Sequence, residues 1–444
     1  MHLAEDMTMT KAINTPVMAL AGAQRCKMRV GRALLAISMV LLSGCQLADM
    51  AQFTYANATA THHWDDETQT TSLPFELVDD HIVLPVRVNG SEPMNFVLDS
   101  GAAASLILES HNTRDLPLEL GAELTVSGVG TGPDPVARIV SDTRLSLGSA
   151  QLEGLSVIYL AQSSVPFFDT LDEVYFDGVI GAPVFERFVV EIDYDQQLIH
   201  FSEPGSARAR AGLAREGWRE LPLEIASGVP YLSTRVTAAS GHPVDVKLLV
   251  DTGYRGPVSL TPSTHDGIAL PAETFSTIGQ GISGDVQIEV GRTPSLVVGG
   301  FTLHEVPVSY SMAGGESDNS SNGILGNQVL QRFNLMFDYP GQRLLLKPNQ
   351  RFADPILADR SGLLVRPHRM GAVVKAVAAD SAADQGELQV ADIITRFDDE
   401  PVTRSNIVKL RRTLGSDRDS VPVCWLSGEQ ARCGELALAS RFAQ

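Results

Sequence analysis

Two short triplets, Asp99-Ser100-Gly101 and Asp251-Thr252-Gly253, end the apolar runs 95–98 and 247–250. Each is followed downstream by a second signature, Gly178-Val-Ile-Gly181 and Gly323-Ile-Leu-Gly326. A lone aspartate near neutral pH is ionised and offers only a charge. Two carboxyls held about 3 Å apart cannot both ionise, so they share one proton and supply a base and an acid at one spot. Paired triplets in matching contexts point to such a meeting across a pseudo-twofold axis. No metal ligand set or covalent nucleophile is required by that chemistry.

The elements that must position the triplets are themselves duplicated, as internal repeats require. Leu73-Pro-Phe-Glu-Leu and Leu221-Pro-Leu-Glu-Ile open the copies, 148 positions apart, and the triplets follow at an offset of 152. Alternating strands are expected at 82–88 and 231–236, before each triplet. Glycine-rich hairpins come next, Gly128-Val-Gly130-Thr-Gly132 and Gly279-Gln-Gly281-Ile-Ser-Gly284. Leu145-Ser-Leu-Gly148 and Leu296-Val-Val-Gly299 lead on to the closing strands 188–194 and 333–339. Short strands with frequent turn signals predict barrel-like or sandwich-like β lobes. Residues 202–217 read as the linker between the copies, and after Pro348 the repeat stops. A third module follows, with an amphipathic helix at 405–414 that puts Ile407, Leu410 and Leu414 on one face and Ser405 at its start.

The chain has 444 residues and a net charge of −19, which argues against a nucleic-acid partner because phosphate binding needs a basic face. Arg29 and Arg32 precede the apolar run 33–42, a short secretory signal rather than a membrane span. Its ending, Leu42-Ser43-Gly44-Cys45, resembles a bacterial lipobox, which implies lipidation of Cys45 and removal of residues 1–45. Met28 offers a more compact start, and the mature charge becomes −22. Gln46, by resemblance to Gram-negative lipoproteins, favours the outer membrane. Residues 46–72 are expected to form a flexible tether, with His62, His63, Asp65, Asp66 and Glu67 solvated rather than metal-bound. Cys424 and Cys433 flank a hairpin and are expected to form a disulfide in an oxidising compartment.

Taken together, residues 73–349 resemble a bacterial retropepsin-like aspartic protease with both lobes, 73–204 and 215–349, in one chain. Residues 352–441 resemble a PDZ domain. The implied fold class is all-β dominated, two pseudo-twofold lobes plus a small α+β module. The resemblance implies that Asp99 and Asp251 are the catalytic dyad. Ser100 and Thr252 would bond across it, and Gly101 and Gly253 would permit close approach. It makes the hairpins at Gly128, Gly130, Gly279 and Gly281 flaps over an extended peptide. Gly362-Leu363-Leu364-Val365 would be a loop that captures a peptide C-terminus.

The chain departs from these patterns at Ala102-Ala103-Ala104, Tyr254-Arg255-Gly256, Ala382 and Ala391. With neither Ala102 nor Tyr254 supplying the close Ser/Thr hydroxyl that pepsins place after the triplet, the dyad is expected to work nearer mild acidity or neutrality. Asp193 and Asp338 are expected to be structural. The aromatic loop 161–176 (Phe167, Phe168, Tyr175, Phe176) and its polar counterpart 312–322 either line the cleft or pack at the surface. The implied function is a monomeric, lipid-anchored, periplasm-facing endopeptidase without cofactors, acting on peptides or proteins. The alternative is a non-catalytic peptide-binding adaptor.

Overall fold

Strand Met94–Leu98 is buried everywhere except at Asn95, as a strand covered on both faces requires, whereas Pro243–Asp251 alternates strictly. Both end at a triplet. The computed structural model describes residues 48–166, 168–311 and 321–442, so the export signal with Cys45, Phe167 and most of the loop 312–322 lie outside the described residues.

In the first lobe, Gly178–Ile180 runs parallel to Met94–Leu98 and antiparallel to Leu106–Leu108. Gly323–Gly326 repeats this arrangement between Pro243–Asp251 and Val258–Leu260. The glycine signatures therefore form the strands beside the triplets. A β-carbon on Gly178 would lie 2.2 Å from the Phe96 ring, and one on Gly323 would lie 1.9 Å from the Ser259 carbonyl. Each lobe is one large sheet, of nine strands in the first and eight in the second among the described residues.

The closing strands meet. Val189–Asp193 pairs antiparallel with Phe333–Asp338, Val190 opposite Phe337, at the centre of a six-stranded sheet contributed by both copies. One hydrophobic core runs across both lobes, with Phe185 packing on Phe337 at 5.4 Å and on Tyr339 at 5.2 Å between ring centroids. Asp193 and Asp338 end these strands. Asp193 accepts from Gln196 N–H, and Asp338 pairs with Arg343.

Two expected connectors prove structured. The tether is helical up to residue 59 and then forms strands Thr61–Trp64, paired with Ala150–Leu160, and Thr70–Pro74, on the edge of the six-stranded sheet. His62 and Trp64 pack edge-on against Phe188, and both bond Glu203 at 2.8 Å. Those rings bury apolar faces, which composition read as polar tether conceals. Within 202–217, helix Ala207–Leu213 is capped by Ser206 and sets Ala209 against Met336 and Leu345.

The C-terminal module is a sheet ordered Leu363–His368, Gly371–Val377, Ile393–Phe397, Ser420–Ser427, Gln430–Ala437, with Glu400–Pro401 beside the third strand. Helix Ile407–Leu414 buries Ile407, Leu410 and Leu414 as expected, but its entry is capped by Thr403 and Asn406 in a reciprocal pair rather than by Ser405. Cys424 stands opposite Cys433 in the hairpin, and the two form a disulfide.

Because the core is continuous, Phe337→Ala is expected to cost about 3–5 kcal/mol. In urea titration followed separately in each lobe, both lobes should shift together.

Candidate active site

Ser100 and Thr252 are fully buried, and each must find hydrogen-bond partners there. They find them in one another's loop. Thr252 Oγ1 donates to the Leu98 carbonyl at 2.7 Å and accepts from Ser100 N–H at 3.0 Å. Ser100 Oγ donates to the Val250 carbonyl at 2.7 Å and accepts from Thr252 N–H at 3.1 Å. Four reciprocal bonds thus clamp the triplets together, the arrangement expected for these two residues.

The clamp brings the carboxyls face to face. A β-carbon on Gly101 would sit 2.5 Å from Asp251 Cγ, and one on Gly253 would sit 2.4 Å from Asp99 Cγ. Only glycine fits at either position. Asp99 Oδ1 accepts from Gly101 N–H at 2.8 Å, while Asp251 Oδ1 accepts from Gly253 N–H at 2.8 Å and Tyr254 N–H at 2.9 Å. Burial pushes the Asp99 carboxyl well above the usual range, and the charge of Asp251 and a hydrogen bond to it add to the rise. Burial also raises Asp251, but the bonds from Asp99, Gly253 and Tyr254 oppose that rise. Both carboxyls are thus raised, so the pair retains a proton to higher pH than a free aspartate would. Tyr339 lies beneath, its hydroxyl donating to the Ser100 carbonyl at 3.4 Å; burial and the two acids keep it protonated.

The departures after the triplets have local reasons. Tyr254 packs its ring where glycine leaves room: β-carbons on Gly256 and Gly326 would lie 2.7 and 2.4 Å from it. Arg255 ion-pairs with Asp79 at 2.9 Å.

Over the dyad's loops, the two glycine hairpins touch at their tips. Gly132 N–H donates to the Ser283 carbonyl at 2.7 Å, Ser283 N–H to the Val129 carbonyl at 2.9 Å, and Thr131 N–H to the Asp285 carbonyl at 3.0 Å. A β-carbon on Gly130, whose φ is +138°, would meet the Ser283 carbonyl carbon at 2.2 Å. Gly128 and Gly281 are crowded in the same way, by Ile282 and Val129. Gly279 is not, its nearest neighbour lying 3.1 Å away. Ile282 reaches down to the cluster that includes Ala102 and Ala104.

The loop expected to capture a peptide C-terminus is internally satisfied. Asp359 accepts from Ser361 N–H at 3.2 Å and Gly362 N–H at 2.7 Å, Ser361 Oγ takes Leu363 N–H, and the Val365 carbonyl accepts from Arg411. Gly362 and Leu364 instead border a cavity of about 850 Å³ shared with residues 275–278 of the second hairpin. Among the described residues no cluster of three or more His, Cys, Asp or Glu could hold a metal.

No motif marks Asp79, Asp80 and His81, in the turn that reaches the second triplet's loop. Asp79 and Asp80 form a two-residue turn, both at positive φ, between Glu76–Val78 and His81–Val88. Asp80 docks the turn on the other lobe, accepting from Gln328 and Gln331 at 3.1 Å. His81 Nε2 bonds the Gly253 carbonyl at 2.8 Å. The available signal was an acidic pair where such a hairpin favours Asn-Gly. Of the aromatic loop, Phe168, Tyr175 and Phe176 are buried against His81 and the first-lobe strands rather than exposed.

Residues 84–184 and 235–329 match the Aspartyl protease family model, each segment taking in one triplet and one Gly-x-x-Gly signature. No curated protein matches the chain. Among solved structures, the aspartic proteinase from Irpex lacteus is similar at a TM-score of 0.40 and 13% identity, over 64% of this chain and 99% of that one.

Two outcomes follow from this geometry. A carboxyl raised in the folded state binds more protons there than when unfolded, so stability falls as pH rises from the unfolded value through the folded one. Asp99→Asn should therefore raise Tm at pH 7, with the gain vanishing below about pH 4, the unperturbed aspartate range. Separately, Gly130→Ala should part the hairpin tips, and hydrogen exchange should show Gly132 and Ser283 amides losing protection.

Proposed function

We propose that this chain is an aspartic endopeptidase that hydrolyses peptide bonds with water activated between Asp99 and Asp251. The observation that carries the reading is the mutual enclosure of the two carboxyls, each against the other triplet's glycine. The matches of both repeats to the Aspartyl protease family support it.

The chemistry needs one carboxyl ionised and its partner protonated, with the proton assigned to Asp99. Ionised Asp251 takes a proton from a water lying between the carboxyls as that water's oxygen attacks the scissile carbonyl carbon. Asp99 gives its proton to the carbonyl oxygen, forming a neutral tetrahedral diol. When the carbon–nitrogen bond breaks, the proton on Asp251 passes to the departing amine, and Asp99 recovers one from the diol. General acid and base contributions of this kind are each worth about 10²–10⁴-fold. Parting of the hairpin tips admits an extended peptide, and their closure excludes bulk water.

In this reading, the C-terminal module is PDZ-type and recruits or regulates substrate. The signal ending at Cys45 anchors the monomer by lipid at the outer membrane, facing the periplasm. The lipobox-like ending, the disulfide and two complementary lobes in one chain support these assignments.

Incubating the protein from residue 46 with a diverse peptide mixture, and mapping products by mass spectrometry, tests the activity. Asp99→Asn and Asp251→Asn should each lower cleavage by about 10²–10⁴-fold or more while folding is retained. The rate requires one carboxylate ionised. Since both carboxyls are raised, the acid limb should lie above about pH 4, with the maximum between mild acidity and neutrality. A maximum below about pH 3 would contradict the burial argument.

A further inference from the structure

Three departures from the internal duplication converge on one place. At the repeat offset of 148, Asp79 and His81 stand where the second copy has Ser227 and Val229. At the triplet offset of 152, Arg255 stands where the first copy has Ala103. The second copy's turn meets the first lobe at Gly228, beside Ala182, the Glu186 carboxylate and the Ala103 carbonyl. The first copy's turn meets the C-terminal module, through Arg366 and Arg411 on Asp79.

Asp79 is 1% exposed and faces three arginines. Arg255 Nη1 lies at 2.9 Å, Arg411 pairs with the other carboxylate oxygen, and Arg366 Nη1 lies at 3.8 Å. Arg255 belongs to the second catalytic loop, whereas Arg366 and Arg411 belong to the C-terminal module. Tyr175 and His81 extend the junction. His81 is buried, which lowers its pKa to about 4 and keeps it neutral. Its Nε2–H donates to the Gly253 carbonyl, a group that can only accept, so Nδ1 accepts from the Tyr175 hydroxyl at 2.5 Å. The segment carrying Tyr175 is gripped by the same module, through Lys375 on Glu173 at 2.8 Å and Arg404 on the Val174 carbonyl at 3.0 Å.

We infer that Asp79, His81 and Arg255 are positioning residues through which the docked C-terminal module, by Arg366 and Arg411, holds the Gly253 loop and hence Asp251 opposite Asp99. This rests on the endopeptidase reading and deepens it. The module is then part of the catalytic unit and not only an attachment for recruiting substrate. Its arginines neutralise a buried carboxylate that would otherwise be left with Arg255 alone, and breaking such a cluster from one side leaves uncompensated charge. The loop that absorbs the disturbance is the one whose N–H groups fix Asp251.

The test uses the chain from residue 46 and a peptide of about eight residues. Asp79→Asn, near-isosteric, and Arg411→Gln are each expected to lower kcat about tenfold with KM changed less than about twofold, and to speed amide exchange at residues 252–256. The double variant should be no worse than the worse single one, and Arg411→Lys should recover part of kcat. Lys409→Gln, on the same helix and paired with Glu400 at the surface, should leave both readouts unchanged. Unchanged kcat and exchange in folded Asp79→Asn, or fully additive losses in the double variant, would overturn the inference. Exchange is read even in a protein that cleaves nothing: faster exchange at 252–256 without wild-type cleavage supports the junction and counts against the endopeptidase reading. Unchanged exchange with normal cleavage does the reverse.

Discussion

Two half-buried acidic side chains held against each other are a standing electrostatic cost, and the rest of this molecule is arranged around holding them there. Partly withdrawn from water, neither carboxyl ionises freely, and the first charge to form opposes the second. The cost is tolerable only if the loops cannot relax apart. Ser100 and Thr252 prevent that by spending both their donor and their acceptor capacity on the opposite loop, so sliding either triplet would orphan buried polar groups on both sides. Beneath them the six-stranded sheet joins the copies by backbone pairing, and the continuous aromatic core around Phe185, Phe337 and Tyr339 makes the lobes one mechanical body.

Duplication explains the symmetric parts of the site, and its failures explain the rest. The triplets, the glycine strands beside them and the hairpins above follow the repeat because each lobe must do the same geometric job. Tyr254, Arg255, Asp79 and His81 break it on one side only. That side meets a third module, and a charged interface needs groups that a lobe–lobe contact does not. A conspicuous irregularity in a repeated sequence thus marks a surface with a different neighbour.

The molecule also closes its own open backbone. The hairpin tips exchange three backbone hydrogen bonds, and the N–H groups of Ser361 and Gly362 are taken by Asp359. Exposed donors and strand edges invite foreign chains. At both places the backbone donors are already occupied from within the chain.

Much was legible in the residues alone. The duplication, the β character, the paired aspartates, the apolar helix face at Ile407, Leu410 and Leu414, and the cysteine pair follow from short-range spacing and residue chemistry, whereas the roles of Ser100 and Thr252 came with the family resemblance. Other features were not. The tether became a docked strand because His62 and Trp64 find Phe188 and Glu203, some 125 to 140 positions away. No motif in the sequence marks Asp79, because its arginines lie 176 to 332 positions downstream. The residues themselves determined which groups can share a proton. Only the folded chain decided which distant cations surround that pair's supports, because such contacts are set by how separate sheets and a separate module come to rest together, and no local period or motif records that.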